Sequence, residues 1–130
     1  SRSDEDLYMN GAEVFAFTLR ELPRFMASTF EYAQISTDNL DYVIPHQANR
    51  SILKYLCTSA HIPEQKVVLD LEDFGNTSSA SIPLAITNRL CEIIQTSSKN
   101  LFLIGFGVGW SWASAIIEMG PLKIPPLISI

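Results

Sequence analysis

LFLIGFGVGWSWASAIIE, residues 101–118, is the stretch on which the fold turns. Its first six residues are apolar apart from Gly105, the pattern of a strand covered on both faces. A second strand is predicted over 110–118, and the glycine-rich join between the two is short. Strands joined so closely pair antiparallel. A sheet buried on both sides needs helices, and the chain upstream supplies them.

Working back, Ile82, Ile86, Leu90, Ile93 and Ile94 recur at helical spacing and predict a helix over 79–96, with Pro83 tolerated in its first turn. FGNTSS, residues 74–79, is dense in residues that accept unusual backbone angles and cap helices, so it reads as a strand-to-helix turn. A short strand is predicted over 66–71. Before it, Ile52, Leu53, Leu56, Cys57 and Ala60 predict a helix over 47–60, ended by Pro63. Residues 40–44 are β-rich and closed by Pro45, which pushes its predecessor toward extended geometry. Val14, Phe15, Leu19, Leu22, Met26 and Phe30 predict a first helix over 11–32, which Pro23 should kink or divide. The order helix, strand, helix, strand, helix, strand, strand defines an α/β domain, a mixed sheet with helices packed on it. Residues 121–130 read as a proline-rich apolar tail.

Composition narrows the function. With 130 residues and 47% hydrophobic content, one domain with an independent core is expected. No apolar run approaches the roughly 20 residues of a membrane span. The polar, acidic start shows no secretory pattern, and the lack of an initiator methionine suggests a protein that starts upstream. A net charge of −5 argues against a nucleic-acid partner, since phosphate neutralisation needs a basic face. Cys57 and Cys91 make neither a CxxC pair nor a disulfide framework, so a reducing cytoplasm is the expected compartment.

Of the two histidines, His61 lies in a helix exit before Pro63, where a solvated residue is the plain account. His46 follows a strand and opens a helix, the place where open α/β sheets bind ligands. Asn76 occupies the same topological location, although Gly75-Asn76 alone also reads as a simple turn. Side chains at two such strand ends can bring an imidazole N–H and an amide N–H onto one oxygen. The loop 105–109 offers a free backbone N–H close to a ligand, or only a tight connection. Cys57, on an apolar stripe, and Cys91, inside a helix, lack the cationic or helix N-terminal setting of a reactive thiolate. Arg50 and Lys54 share one helix face, where they either meet anionic groups or are simply solvated.

PHQAN at 45–49, GNTSSAS at 75–81 and GFGVGWSW at 105–112 resemble, in order and spacing, the C-terminal half of ketoacyl-acyl carrier protein synthase III. The resemblance covers roughly residues 10–118. Asn76, standing where elongating condensing enzymes carry a second histidine, points to the synthase III subgroup and its chalcone-synthase-like relatives. The resemblance implies the C-terminal half of the thiolase fold, with residues 1–9 a linker from a missing N-terminal half, 10–120 the domain and 121–130 the tail. It implies decarboxylative Claisen condensation on coenzyme A and acyl carrier protein thioesters, with no cofactor and no metal, commonly in a homodimer, in fatty acid or related biosynthesis. His46 and Asn76 would then donate to the malonyl thioester oxygen, and a neutral His46 suits that task. The acyl-carrying cysteine belongs to the missing half, so the isolated chain should be inactive. The backbone N–H of Val108 would help hold the oxyanion on that cysteine. Glycine is usual at this place, and the valine side chain narrows the acyl pocket or restricts φ. Arg50 and Lys54 would face coenzyme A phosphates or an acidic carrier, although the family's basic residue often falls one place later, at Ser51. The competing expectation is a stand-alone, non-catalytic module for acyl-thioester binding or dimerisation.

Overall fold

The computed structural model describes residues 10–107 and 110–128. Helix α1 (Gly11–Ala33) starts at Asn10, whose side chain accepts the Glu13 N–H, and ends at Gln34 in the left-handed region. Pro23 lies inside it without dividing it. One backbone donor is lost there, but the buried face of Thr18, Leu22 and Met26 runs unbroken across the proline. Phe15, expected on that face, is 42% exposed.

Strand β1 (Tyr42–Pro45) pairs in parallel with β2 (Lys99–Gly107), which pairs antiparallel with β3 (Ser111–Met119). The sheet is mixed, in the order β1-β2-β3. Because side chains alternate along a strand, β1 and β2 feed two separate cores. Val43, Phe102 and Ile104 face α1 and helix α2 (Arg50–Ser59), packing with Leu22, Met26, Leu53 and Leu56. Ile44 and Leu101 face helix α4 (Ser81–Thr96), packing with Ala85, Ile86, Leu90 and Ile94. This is the two-sided burial that the run at 101–106 demanded.

The strand expected over 66–71 does not form. Residues Glu64–Lys66 make a 3-10 turn, Val67 forms a single parallel bridge to Val43, and Leu71–Phe74 coils into the short helix α3. The Val68 N–H still donates to the Val43 carbonyl, but Pro45 has no N–H for the next rung, and the buried side chain of Gln47 stands in for it. Its Nε2 donates to the Val68 carbonyl at 3.1 Å, and its Oε1 accepts the Asp70 N–H at 2.7 Å. A side chain thus satisfies the backbone groups that the proline-terminated strand leaves without partners, and no ladder propagates.

Helix α2 starts three residues later than the expected residue 47, because Asn49 is its cap and accepts the N–H groups of Ser51 and Ile52. Likewise α4 begins at Ser81, after a 3-10 turn at Ser78–Ala80, with Pro83 in its first turn as expected. Residues 121–128 have no regular structure, yet Ile124 is buried against α4 and the Leu122 N–H donates to the Ile94 carbonyl. Among the described residues, no helix is long and apolar enough to cross a membrane.

Candidate active site

His46 sits at the end of β1, where its N–H donates to the Ile104 carbonyl at 2.8 Å and extends the ladder one residue past the strand. The ring is half-buried, with its Nδ1 2.6 Å from the Ser81 Oγ and the Phe106 ring at 78° to it, centroids 5.4 Å apart. Burial holds the imidazole below its ordinary pKa. Ser81 is the first residue of α4, so the positive end of that helix also faces the ring and disfavours the imidazolium.

Asn76 lies on the loop that leads from α3 into α4. Its Oδ1 accepts the Ser78 N–H at 2.9 Å, which Ser78 reaches by adopting a left-handed φ of 55°. With its oxygen engaged, the exposed carboxamide has its two N–H donors left to offer. Asn76 follows α3, and not a strand as expected. The same α4 entrance still carries both Asn76 and the serine that touches His46.

Arg50 and Lys54 line one groove, together with Thr58 and Glu64. Arg50 is not free there, since its guanidinium pairs with Glu72. The Val108 backbone, proposed as an oxyanion donor, lies outside the described residues. Phe106 and Gly107 end β2, and further along the chain Trp110 and Trp112 gather around Phe17 with centroids 4.4 and 5.2 Å away. A hollow of about 610 Å³ opens between these aromatics and Glu13, Arg20 and Glu21 of α1. Burial, aided by Glu64, pushes the Cys57 thiol up to about 11, leaving it protonated and inert at neutral pH. Cys91 is partly buried and close to Gln95 and the Ile124 carbonyl. His61 is exposed at the α2 exit with a φ of 52°. Among the described residues, no group of three or more His, Cys, Asp or Glu could hold a metal ion.

Sequence reasoning missed Gln47 and Ser81, which are 1% and 2% exposed. Gln47 also donates from Nε2 to the Pro45 carbonyl at 2.8 Å, so one side chain satisfies three backbone groups around the histidine. The only signal was a glutamine between Pro45-His46 and Ala48, where the helical stripe had no place for an apolar residue.

A mixed sheet with helices packed on both faces is the architecture of the C-terminal half of the thiolase fold. The solved 3-oxoacyl-(acyl-carrier protein) synthase from Burkholderia xenovorans LB400 superposes with a TM-score of 0.91 at 41% identity, covering 97% of this chain and 36% of that one. Residues 30–119 match the family described as 3-oxoacyl-[acyl-carrier-protein] synthase III C terminal, and the chain belongs to that family. The beta-ketoacyl-[acyl-carrier-protein] synthase III of Clostridium perfringens is 34% identical over 117 residues, which are 90% of this chain and 36% of that protein. The corresponding synthase of Listeria welshimeri is 37% identical over 117 residues, 90% of this chain and 38% of that protein. The chain therefore spans little more than a third of the length of the relatives it matches.

Proposed function

We propose that this chain is the enolate-stabilising half of a ketoacyl-acyl carrier protein synthase III-like acyltransferase. The hydrogen-bond accounting at two side chains carries the reading. Nδ1 of His46 and Oδ1 of Asn76 are each engaged within the protein, which leaves His46 Nε2 and the Asn76 amide N–H groups to meet a ligand oxygen. In the reaction, a malonyl thioester loses carbon dioxide and its electron pair moves onto the thioester oxygen as an enolate. The enolate carbon then attacks an acyl group held on a cysteine, the new carbon–carbon bond forms and the thiolate leaves. His46 and Asn76 donate to the oxygen as its charge develops, and preorganised donors of this kind are worth about 3 kcal/mol each.

The nucleophile comes from a preceding segment that carries a cysteine at a strand-to-helix turn. Cys57 cannot serve, because burial keeps it a thiol. Primer and extender arrive as coenzyme A and acyl carrier protein thioesters. With Arg50 paired to Glu72, Lys54 is the better placed cation for their phosphates or for an acidic carrier. Val108 contributes its backbone N–H to the acyl-cysteine oxyanion. The assembled enzyme is a cytoplasmic homodimer acting in fatty acid or related biosynthesis, and the present chain alone is inactive.

Two measurements test this. In an enzyme that joins this chain to its cysteine-bearing segment, His46→Ala and Asn76→Ala should each lower condensation about 10²–10³-fold while acyl loading of the cysteine continues. The isolated chain, incubated with acyl-coenzyme A, should show no mass adduct on Cys57 or Cys91. A stoichiometric adduct on either, or unimpaired condensation in both variants, overturns the reading.

A further inference from the structure

GNTSSAS, residues 75–81, contains three serines, and only Ser81 is buried, at 2% exposure. A buried hydroxyl must place both its proton and its lone pairs on partners, or it forfeits about 1–3 kcal/mol. Its two contacts are the backbone N–H of Gln47 at 3.3 Å and Nδ1 of His46 at 2.6 Å. The Gln47 N–H can only donate, so the Ser81 oxygen is an acceptor in that contact. Were Nδ1 also a donor, the hydroxyl would accept twice. Its own proton would then be left among buried groups, and no acceptor for it is found among the described residues.

From this we infer that Ser81 is a positioning residue: its hydroxyl, oriented by the Gln47 N–H, donates to His46 Nδ1 and so fixes the imidazole as the tautomer bearing its proton on Nε2. The relay runs Gln47 N–H to Ser81 Oγ–H to His46 Nδ1. It orders the ring in direction as well as in protonation, and the near-perpendicular Phe106 ring limits its rotation from another side. Gln47 is itself held by the Pro45 and Val68 carbonyls and the Asp70 N–H, so the relay is anchored in buried structure at its far end. This deepens the proposed condensation chemistry and rests on it for its purpose, because a donor is useful to an enolate oxygen only if Nε2 carries the proton. The wrong tautomer would present a lone pair to a developing negative charge.

The tautomer can be read without any catalytic assay. With only two histidines in the chain, long-range proton–nitrogen spectra of nitrogen-labelled protein resolve both rings, and His61→Asn identifies the exposed one. The unsubstituted protein should show His46 with a protonated Nε2 and an unprotonated Nδ1. Ser81→Ala should lose that signature and show nitrogen shifts averaged between tautomers, whereas Ser81→Thr, which keeps the hydroxyl, should retain it. A protonated Nδ1 in the unsubstituted protein overturns the inference whether or not the variants fold. So does a Ser81→Ala spectrum unchanged from it, in a variant whose melting shows that it is folded. The spectrum is indifferent to condensation, so a failure of the proposed enzymatic reading would appear in the activity assay and leave this result standing.

Discussion

At His46, two influences act in the same direction. Burial and the start of α4 both favour the neutral ring, so the imidazole titrates below its unfolded value of about 6.5. With the folded pKa depressed, the unfolded chain binds more protons in the window between the two values. The stabilising contribution is therefore complete above the unfolded pKa and is lost as the pH falls through the folded one. Urea midpoints at pH 7.5 and pH 5 should show a larger acid loss for the unsubstituted protein than for His46→Gln, and an NMR titration should place the His46 midpoint below that of an unfolded control. A midpoint above the control reverses the account. His46 and Asn76 could be picked out as candidates because polar residues beside Pro45 and Gly75 stood at the ends of predicted elements, and the resemblance of PHQAN and GNTSSAS to a known family gave them roles. Ser81 and Gln47 could not, because their meaning lies in contacts 35, 34 and 23 residues apart in the chain. No local pattern encodes such a meeting.

The elements followed the same division. The helices α1, α2 and α4 could be read from periodicity, since each buries a regular face, and β2 from its continuous apolar run; β3, which buries no residue fully, was legible only from its close connection to β2. The segment 64–70 could not be read in this way. Val67, Val68 and Leu69 have the composition of a strand, but whether they form one depends on what lies beside them, and Gln47 lies there. Lys66 adds a second tertiary commitment: its Nζ donates to the carbonyls of Thr37, Asp38 and Leu40 at 2.9, 3.2 and 2.7 Å, closing the turn that leads into β1. Lys66→Met keeps the aliphatic stem and removes the donors. It should cost about 1.5–3 kcal/mol in urea unfolding, the range for hydrogen bonds to a charged group. A loss under a few tenths of a kcal/mol would mean that water replaces the ammonium without penalty.

For the molecule as a whole, Phe102 is the structural centre. It is fully buried on β2, meets the Phe30 ring of α1 at a tilt of 54° with 4.8 Å between centroids, and packs in the core shared with α2. Phe102→Ala should cost about 3–5 kcal/mol, measured by denaturant unfolding. Leu101, next along the strand, points into the other core with α4, so a matched Leu101→Ala should be destabilising through an independent set of contacts. The exposed Trp110, Trp112, Phe15 and Leu122 stand apart from both cores. Their apolar area faces outward in a chain that spans only about a third of its relatives.

The parallel pairing of β1 with β2 has a consequence for the order in which the molecule is made. Residues 46–98 form one closed excursion between these strands, and His46, Gln47, Asn76 and Ser81 all lie within it. Closing so long a loop costs chain entropy before any ladder contact returns it, so this pairing belongs among the late, topologically slow events of folding. The helices can form earlier from local sequence, but the Ile104 carbonyl that seats His46 arrives only with β2. Until β1 and β2 pair, His46 lacks the carbonyl that holds its backbone, whatever helices have already formed.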